Sequence, residues 1–128
     1  MRITRIYTGD DGQSHFEDVE VAFALDVGRG VRTPLLDAGQ ISLHESTGAF
    51  ETDYHPAPHR QWVITVSGSA EIECADGSKR TFGVGDVFFA DDTTGQGHIA
   101  RTVEVPRRSI VVPMPEDFDF EQLRGEGG

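Results

Sequence analysis

Apolar residues in this chain recur at every second position, and each alternating run ends after a few residues at a Gly, Asp or Pro turn. Side chains of an extended strand point to opposite faces in turn, so the pattern predicts short, half-buried β-strands. One such run places Val19, Val21, Phe23 and Leu25 on one face and Glu20, Ala22 and Ala24 on the other. Before it, a strand from Ile3 to Tyr7 runs into Gly9-Asp10-Asp11-Gly12, residues that tolerate the left-handed backbone of a turn. Ile41 to Glu45 makes a further strand after the Asp37-Ala38-Gly39 turn.

From Gln61 to Ser67 both faces are largely apolar, which predicts a strand covered on both sides. Gly68 bends the chain, and Ala70, Ile72 and Cys74 then alternate with Glu71 and Glu73 as far as Asp76-Gly77. That dipeptide is a hairpin signal, returning the chain through Lys79 to Phe82. Val87 to Ala90, Ile99 to Val105 and Ser109 to Val112 supply three more strands. A succession of short strands joined by turns predicts an all-β, antiparallel sandwich or barrel. After Pro113 the pattern changes, and Glu116 to Arg124 is expected to form one or two amphipathic helical turns on Phe118, Phe120 and Leu123, followed by a loose Gly125 to Gly128.

The 128 residues suit a single domain spanning 1–128, with its core at about 17–113 and a tail at 114–128. The 15 Gly and 6 Pro argue against long helices. Acidic residues number 22 against 11 basic ones, a net charge of −11, and such a field repels phosphate backbones and anionic lipid. Neither a nucleic acid nor a membrane is therefore an expected partner. No apolar run approaches a membrane span, no apolar leader follows Met1, and the lone Cys74 reads as a buried, inert thiol, so a cytoplasmic protein is expected. Phosphate-binding glycine loops, CxxC pairs and GxSxG elbows do not occur.

Two segments carry a resemblance. The first is His55-Pro56-Ala57-Pro58-His59-Arg60-Gln61, leading to Gly68. The second runs from Gly85-Asp86 through Asp91-Asp92-Thr93-Thr94-Gly95-Gln96-Gly97 to His98. Together they resemble the paired motifs of the cupin superfamily, in particular small single-domain cupins that share His-Pro-Ala-Pro-x-Arg-Gln and Asp-Asp-Thr-Thr-Gly-x-Gly-His. The resemblance implies an antiparallel jelly-roll barrel, a ligand in its lumen, and a homodimer paired through sheet faces. In the family pattern the first motif supplies His, His and Glu to a metal, and the second supplies one more His. Here His55 and His98 stand at two of these places, Ala57 replaces the second His, and Gln61 replaces the Glu.

The candidate metal set is thus His55, His59, Gln61 and His98, with His59 on the same side as Gln61 if the strand continues. Without the Glu the set is neutral. It is poorer for Fe(II) or Mn(II), which favour carboxylate, and better suited to Zn(II) or Ni(II). Tyr54, Trp62, His44 and Thr102 are the candidates for lining a ligand pocket. Arg60, next to Gln61 on a strand, should face away from the lumen, and Asp91 and Asp92 are expected to form a turn. Two functions fit these residues. One is a metal-dependent oxidation or isomerisation of a small organic substrate. The other is metal-free recognition of a small ligand by a binding or sensor protein. A third, a metal-free isomerase with His98 as general base, requires a carboxylate partner that the motif itself does not supply.

Overall fold

The computed structural model describes residues 1–124, so the expected looseness of Gly125 to Gly128 lies outside the described residues. The strands are β1 (Arg2–Thr8), β2 (Ser14–Glu20), β3 (Leu25–Asp26), β4 (Val31–Arg32), β5 (Ser42–Ser46), β6 (Gln61–Cys74), β7 (Lys79–Phe82), β8 (Val87–Asp91) and β9 (His98–Pro113), followed by a 3₁₀ turn, Phe120–Leu123. The class is all-β, as the alternation predicts. Seven strands make one sheet in the order β2-β1-β8-β6-β9-β5, with β7 also paired to β6, while β3 and β4 form a separate small ribbon.

The long strands β6 and β9 organise everything else. The first half of β6 lies between β8 and the second half of β9, with Gln61 opposite Ala90 and Trp62 opposite Val112. Its second half lies between β7 and the first half of β9, with Ala70 opposite both Phe82 and Thr102. Between the halves the register slips around Ser67 and Ser69, and such irregularities bend a strand. Gly68 makes the bend possible. Its φ of +69° is costly for any other residue, and a Cβ there would collide with the carbonyl oxygens of Glu104 and Pro106 on β9. The two halves consequently face each other across an apolar interior in which Val63 and Phe88 from one half meet Ile72 and Phe82 from the other.

Two expectations about strands need correction. Val19 to Leu25 is not one strand, because β2 stops at Glu20 and the next two amide groups leave the sheet to bond the carbonyls of Met1 and Leu123. Gln61–Ser67 and Ala70–Cys74 are one bent strand rather than two, and so are the two segments now joined in β9. Within the otherwise antiparallel sheet, β1 runs parallel to β8, with Thr4 opposite Phe88. That pairing puts β1 between β2 and β8, and Ile3 and Ile6 of β1 are buried in the two apolar clusters.

The doubly apolar strand is covered from within the chain. Trp62, on the outer face of β6, meets Phe89 edge-on at 4.7 Å between ring centroids, and Phe118 and Phe120 of the tail close over both rings. Ile3, Val19, Met114 and Leu123 complete this second cluster. The tail at 114–124 is therefore a lid on the sheet, and the cover that Trp62 needs comes from this segment rather than from a second copy. Phe120→Ala should destabilise the fold by about 3–5 kcal/mol in urea unfolding, the usual cost of such a truncation. Trp62 fluorescence of the native variant should shift to the red as water reaches the ring.

His15, on β2, ties two turns together. Its Nδ1 bonds Asp76 at 2.8 Å and its Nε2 bonds Asp11 at 3.1 Å. Both partners are carboxylates, so the doubly protonated ring satisfies both. The Asp11 hydrogen bond raises the imidazole pKa foremost, Asp76 adds to it, and partial burial opposes them. A raised folded value means that the stabilisation is fully present below the unfolded pKa of about 6.5 and fades as pH climbs through the folded value. The melting-temperature advantage of the wild type over His15→Gln should therefore shrink from pH 6 to pH 9.

Candidate functional site

A cavity of about 250 Å³ opens between the two halves of the sheet. Its apolar wall is built from inward-facing strand residues, among them Val63 of β6, Phe88 and Ala90 of β8, Ala100 and Val111 of β9, and Ile72. Polar side chains gather on the rest of it: His44, His55, Gln61, His98, Arg107 and Ser109. Alternation along β9 explains the selection, because His98 and Ala100 share one parity before the bend, and Arg107, Ser109 and Val111 share another after it.

His55 and His98 are brought together by main-chain pairing. Each donates its backbone N–H to the other's carbonyl, at 3.1 and 3.0 Å, and their ring centroids lie 5.1 Å apart. Gly97 permits the approach, since a Cβ at that position would run into the backbone of His55 and Pro56. His55 donates from Nδ1 to the Asp53 carbonyl at 2.9 Å. His98, itself only 7% exposed, has Nδ1 at 2.6 Å from Oδ2 of Asp92, which is fully buried. A carbonyl or an ionised carboxylate only accepts, so both rings carry their proton on Nδ1 when neutral and keep a lone pair on Nε2.

Asp92 is thus no mere turn residue. Its other oxygen, Oδ1, is buried without a hydrogen-bond partner among the described residues. Holding a half-satisfied carboxylate in the interior is costly, and Asp92 is the carboxylate partner that a His98 base requires. Asp91, beside it, does something different. It accepts from Arg5 at 2.8 Å and from Arg60 at 2.6 Å on the far side of the sheet. Arg60 points away from the cavity, as its place beside Gln61 predicts, and lies over the Phe89 and Phe118 rings.

The remaining candidates are dispersed. His59 lines a separate surface cavity with Pro58, Arg60 and Thr93, because the chain from Pro56 to Arg60 has not yet entered β6 and does not follow strand alternation. Trp62 belongs to the outer aromatic cluster. Tyr54 donates its hydroxyl to Glu73 at 2.9 Å, and that carboxylate raises the phenol pKa. Thr102 lines an adjoining smaller cavity that also touches His44 and Arg107. Cys74 is buried in the core, and desolvation pushes its thiol up to about 12, in keeping with an inert residue.

Comparison with known proteins is sparse. No family model matches the sequence, and no curated protein matches it. Among solved structures, protein NMB1881 from Neisseria meningitidis is 13% identical over 63% of this chain and 89% of its own, with a TM-score of 0.43. A protein described as an ethanolamine utilization protein Q, from Salmonella typhimurium LT2, is 15% identical over 90% and 96% of the two chains, with a TM-score of 0.39. A third, described as a mannose-6-phosphate isomerase from Ralstonia eutropha JMP134, is 19% identical over 90% and 86%, with a TM-score of 0.34. These scores are low, and the fold stands on its own strand pairing. Among the described residues no helix is long and apolar enough to cross a membrane.

The donor set does not suit the divalent metal that the sequence resemblance implies. Among the described residues no three His, Cys, Asp or Glu side chains converge on one point, and His59 is in another cavity. Gln61 contributes only a neutral amide, and the guanidinium of Arg107, on the same wall, repels a dication. His55, Gln61 and His98 thus share one cavity, and His59 lies apart from them. Gly97→Ala should part His55 from His98 and destabilise the fold by several kcal/mol, since both the left-handed φ of +75° and the clash oppose it. Thermal unfolding measures the loss, and the histidine Cδ2 and Cε1 NMR signals of the variant should shift at both rings.

Proposed function

We propose that this chain is a small-molecule-binding protein of cupin type whose cavity performs metal-free proton transfer. The sequence motifs around His55 and His98 support the family, and the strand arrangement agrees with them. One observation carries the chemistry: the buried carboxylate of Asp92, 2.6 Å from Nδ1 of His98, fixes that ring as a base whose free Nε2 belongs to a cavity-lining residue. His98 would take a proton from a carbon next to a ligand carbonyl, the electron pair passing to the carbonyl oxygen. Gln61, whose amide lines the same cavity, is the neutral donor available to that oxygen. Where that carbon bears a hydroxyl, its O–H proton passes to the carbonyl oxygen and the abstracted proton returns to the former carbonyl carbon, which completes an isomerisation with no net change in electrons.

The apolar wall limits the ligand to a few carbons, and a cavity of about 250 Å³ agrees with that size. We also propose a homodimer, formed through outward apolar residues that the tail leaves uncovered, such as Leu43 and Val66, and light scattering decides it.

The function is tested by incubating the protein in D₂O with small aldehydes, ketones and keto acids and following loss of proton NMR signals. The wild type should catalyse exchange at the carbon beside the carbonyl, before and after treatment with a chelator. Asp92→Asn and His98→Ala should slow exchange by about 10²-fold or more if each still melts cooperatively. Ligands that raise the melting temperature without any exchange would leave recognition alone and overturn the proton-transfer step. Exchange that disappears on chelation would overturn the metal-free reading.

A further inference from the structure

Among the described residues no carboxylate lies within ion-pair distance of Arg107. This is unusual in a chain where acidic residues outnumber basic ones by 22 to 11. Arg5, Arg60, Arg80, Arg101, Arg108 and Arg124 all have acidic partners within ion-pair distance. Arg29 and Arg32 have none, but both lie in the exposed segment around the small ribbon. Arg107 instead lines the central cavity, and its Nε is buried without a hydrogen-bond partner among the described residues. The adjoining cavity contains Glu45, yet that carboxylate is held by Arg108 at 2.7 Å. Desolvation is the sole influence on the guanidinium, and it pushes the pKa down with no neighbouring charge to oppose it.

A guanidinium stays protonated in proteins, so this is a partly buried positive charge facing a cavity with nothing among the described residues to neutralise it. A second unmet group lies close by. Ser109, two residues along β9 and on the same wall, pairs across the ladder with Thr65, whose Oγ1 is buried and unpartnered. Residues that cost stability and satisfy nothing in the protein mark a place for something the protein binds.

We infer that the cavity is a site for a small organic monocarboxylate, with Arg107 as the residue that binds its carboxylate. This rests on the reading of the cavity as a small-molecule site and names the class of ligand. One fixed positive charge matches one carboxylate, and the planar fork of a guanidinium fits its two oxygens. Lone pairs on Nε2 of His55 and His98 disfavour the extra oxygens and charge of a phosphate, but accept hydrogen bonds from a ligand hydroxyl. The wall of Val63, Phe88 and Val111 suits a short carbon chain. The ligand is thus a short-chain keto or hydroxy acid anion, its carboxylate at Arg107 and its reactive carbon toward His98.

The test is calorimetric titration at low ionic strength with sodium acetate, glycolate and pyruvate, with acetamide and glycolamide as uncharged counterparts, and with inorganic phosphate. Carboxylates should bind at least tenfold more tightly than the amides, and Arg107→Met should weaken them by about 10- to 100-fold, the value of a charge-assisted hydrogen bond. Arg29→Met, which removes the same charge from the exposed segment, should leave the affinity as it is. Without ligand, Arg107→Met should melt at a higher temperature than the wild type, because it deletes an unpaired charge; a structural role predicts a lower one. Should Arg107→Met fail to fold, Arg107→Lys keeps the charge without the fork, and carboxylate affinity should drop between the two extremes. Carboxylate affinity unchanged in Arg107→Met, amides bound as tightly as acids, or phosphate bound more tightly than any acid would each overturn the inference. Carboxylate binding that depends on Arg107 with no deuterium exchange would uphold it and overturn only the proton-transfer reading.

Discussion

The β6–β9 ladder is the interaction on which the rest of the molecule depends. Both strands are long enough to belong to two halves of the sheet, and they bend together where Gly68 passes under the Glu104 and Pro106 carbonyls. A side chain at that point would force the strands apart and unfold the corner. The bend makes one continuous run of hydrogen bonds serve as two facing walls, and the interior between them is both the core and the cavity. Fold and site therefore share one structural cause.

Polar groups are distributed over the two faces of the sheet in opposite ways. On the outside, Asp91 and Glu17 together neutralise Arg5 and Arg60 over a layer of aromatic rings. On the inside, charges are left incomplete. Among the described residues Arg107 has no anion and Asp92 has one oxygen unpartnered. Matched pairs at a partly exposed surface contribute little and cost little, whereas unmatched groups in the interior oppose folding. Arg107 lines the cavity and Asp92 stands behind His98, which lines it too, so both unmatched groups point to a cavity organised around a ligand rather than around stability.

Asp92 and Asp91 are neighbours in sequence with opposite fates, and β8 explains the difference. Asp91 is the last residue of the strand and follows its alternation to the outer face. Asp92 lies just past the strand, where its carbonyl accepts from Ala57 N–H at 3.0 Å and its side chain turns inward to His98. The same Asp-Asp pair thus serves a surface clamp and an interior dyad, and the loop from Thr93 to Gly97 carries the chain from Asp92 to its partner His98.

Much of this was legible in the chain itself. Period-two alternation determined the all-β class because side-chain direction is a local property of an extended backbone; it placed strands at 79–82 and 87–90 within a residue, and at 61–67 and 70–74, which the fold joins into one. His55, Gln61 and His98 could be picked out as one group from their motif positions, and Arg60 could be turned away from them by parity alone. What tertiary structure decided were the properties that depend on distant segments. Whether Trp62 is covered by a partner or by the chain's own tail depends on where Phe118 and Phe120 land, some sixty residues away. His59 fell outside the site because the loop before β6 has no alternation to follow. Arg107 was hidden because parity in β9 changes across a bend that only the ladder with β6 reveals, and a missing counter-ion is invisible until every carboxylate has been placed. Local alternation fixes which way a residue points; only the packed fold determines what it meets there.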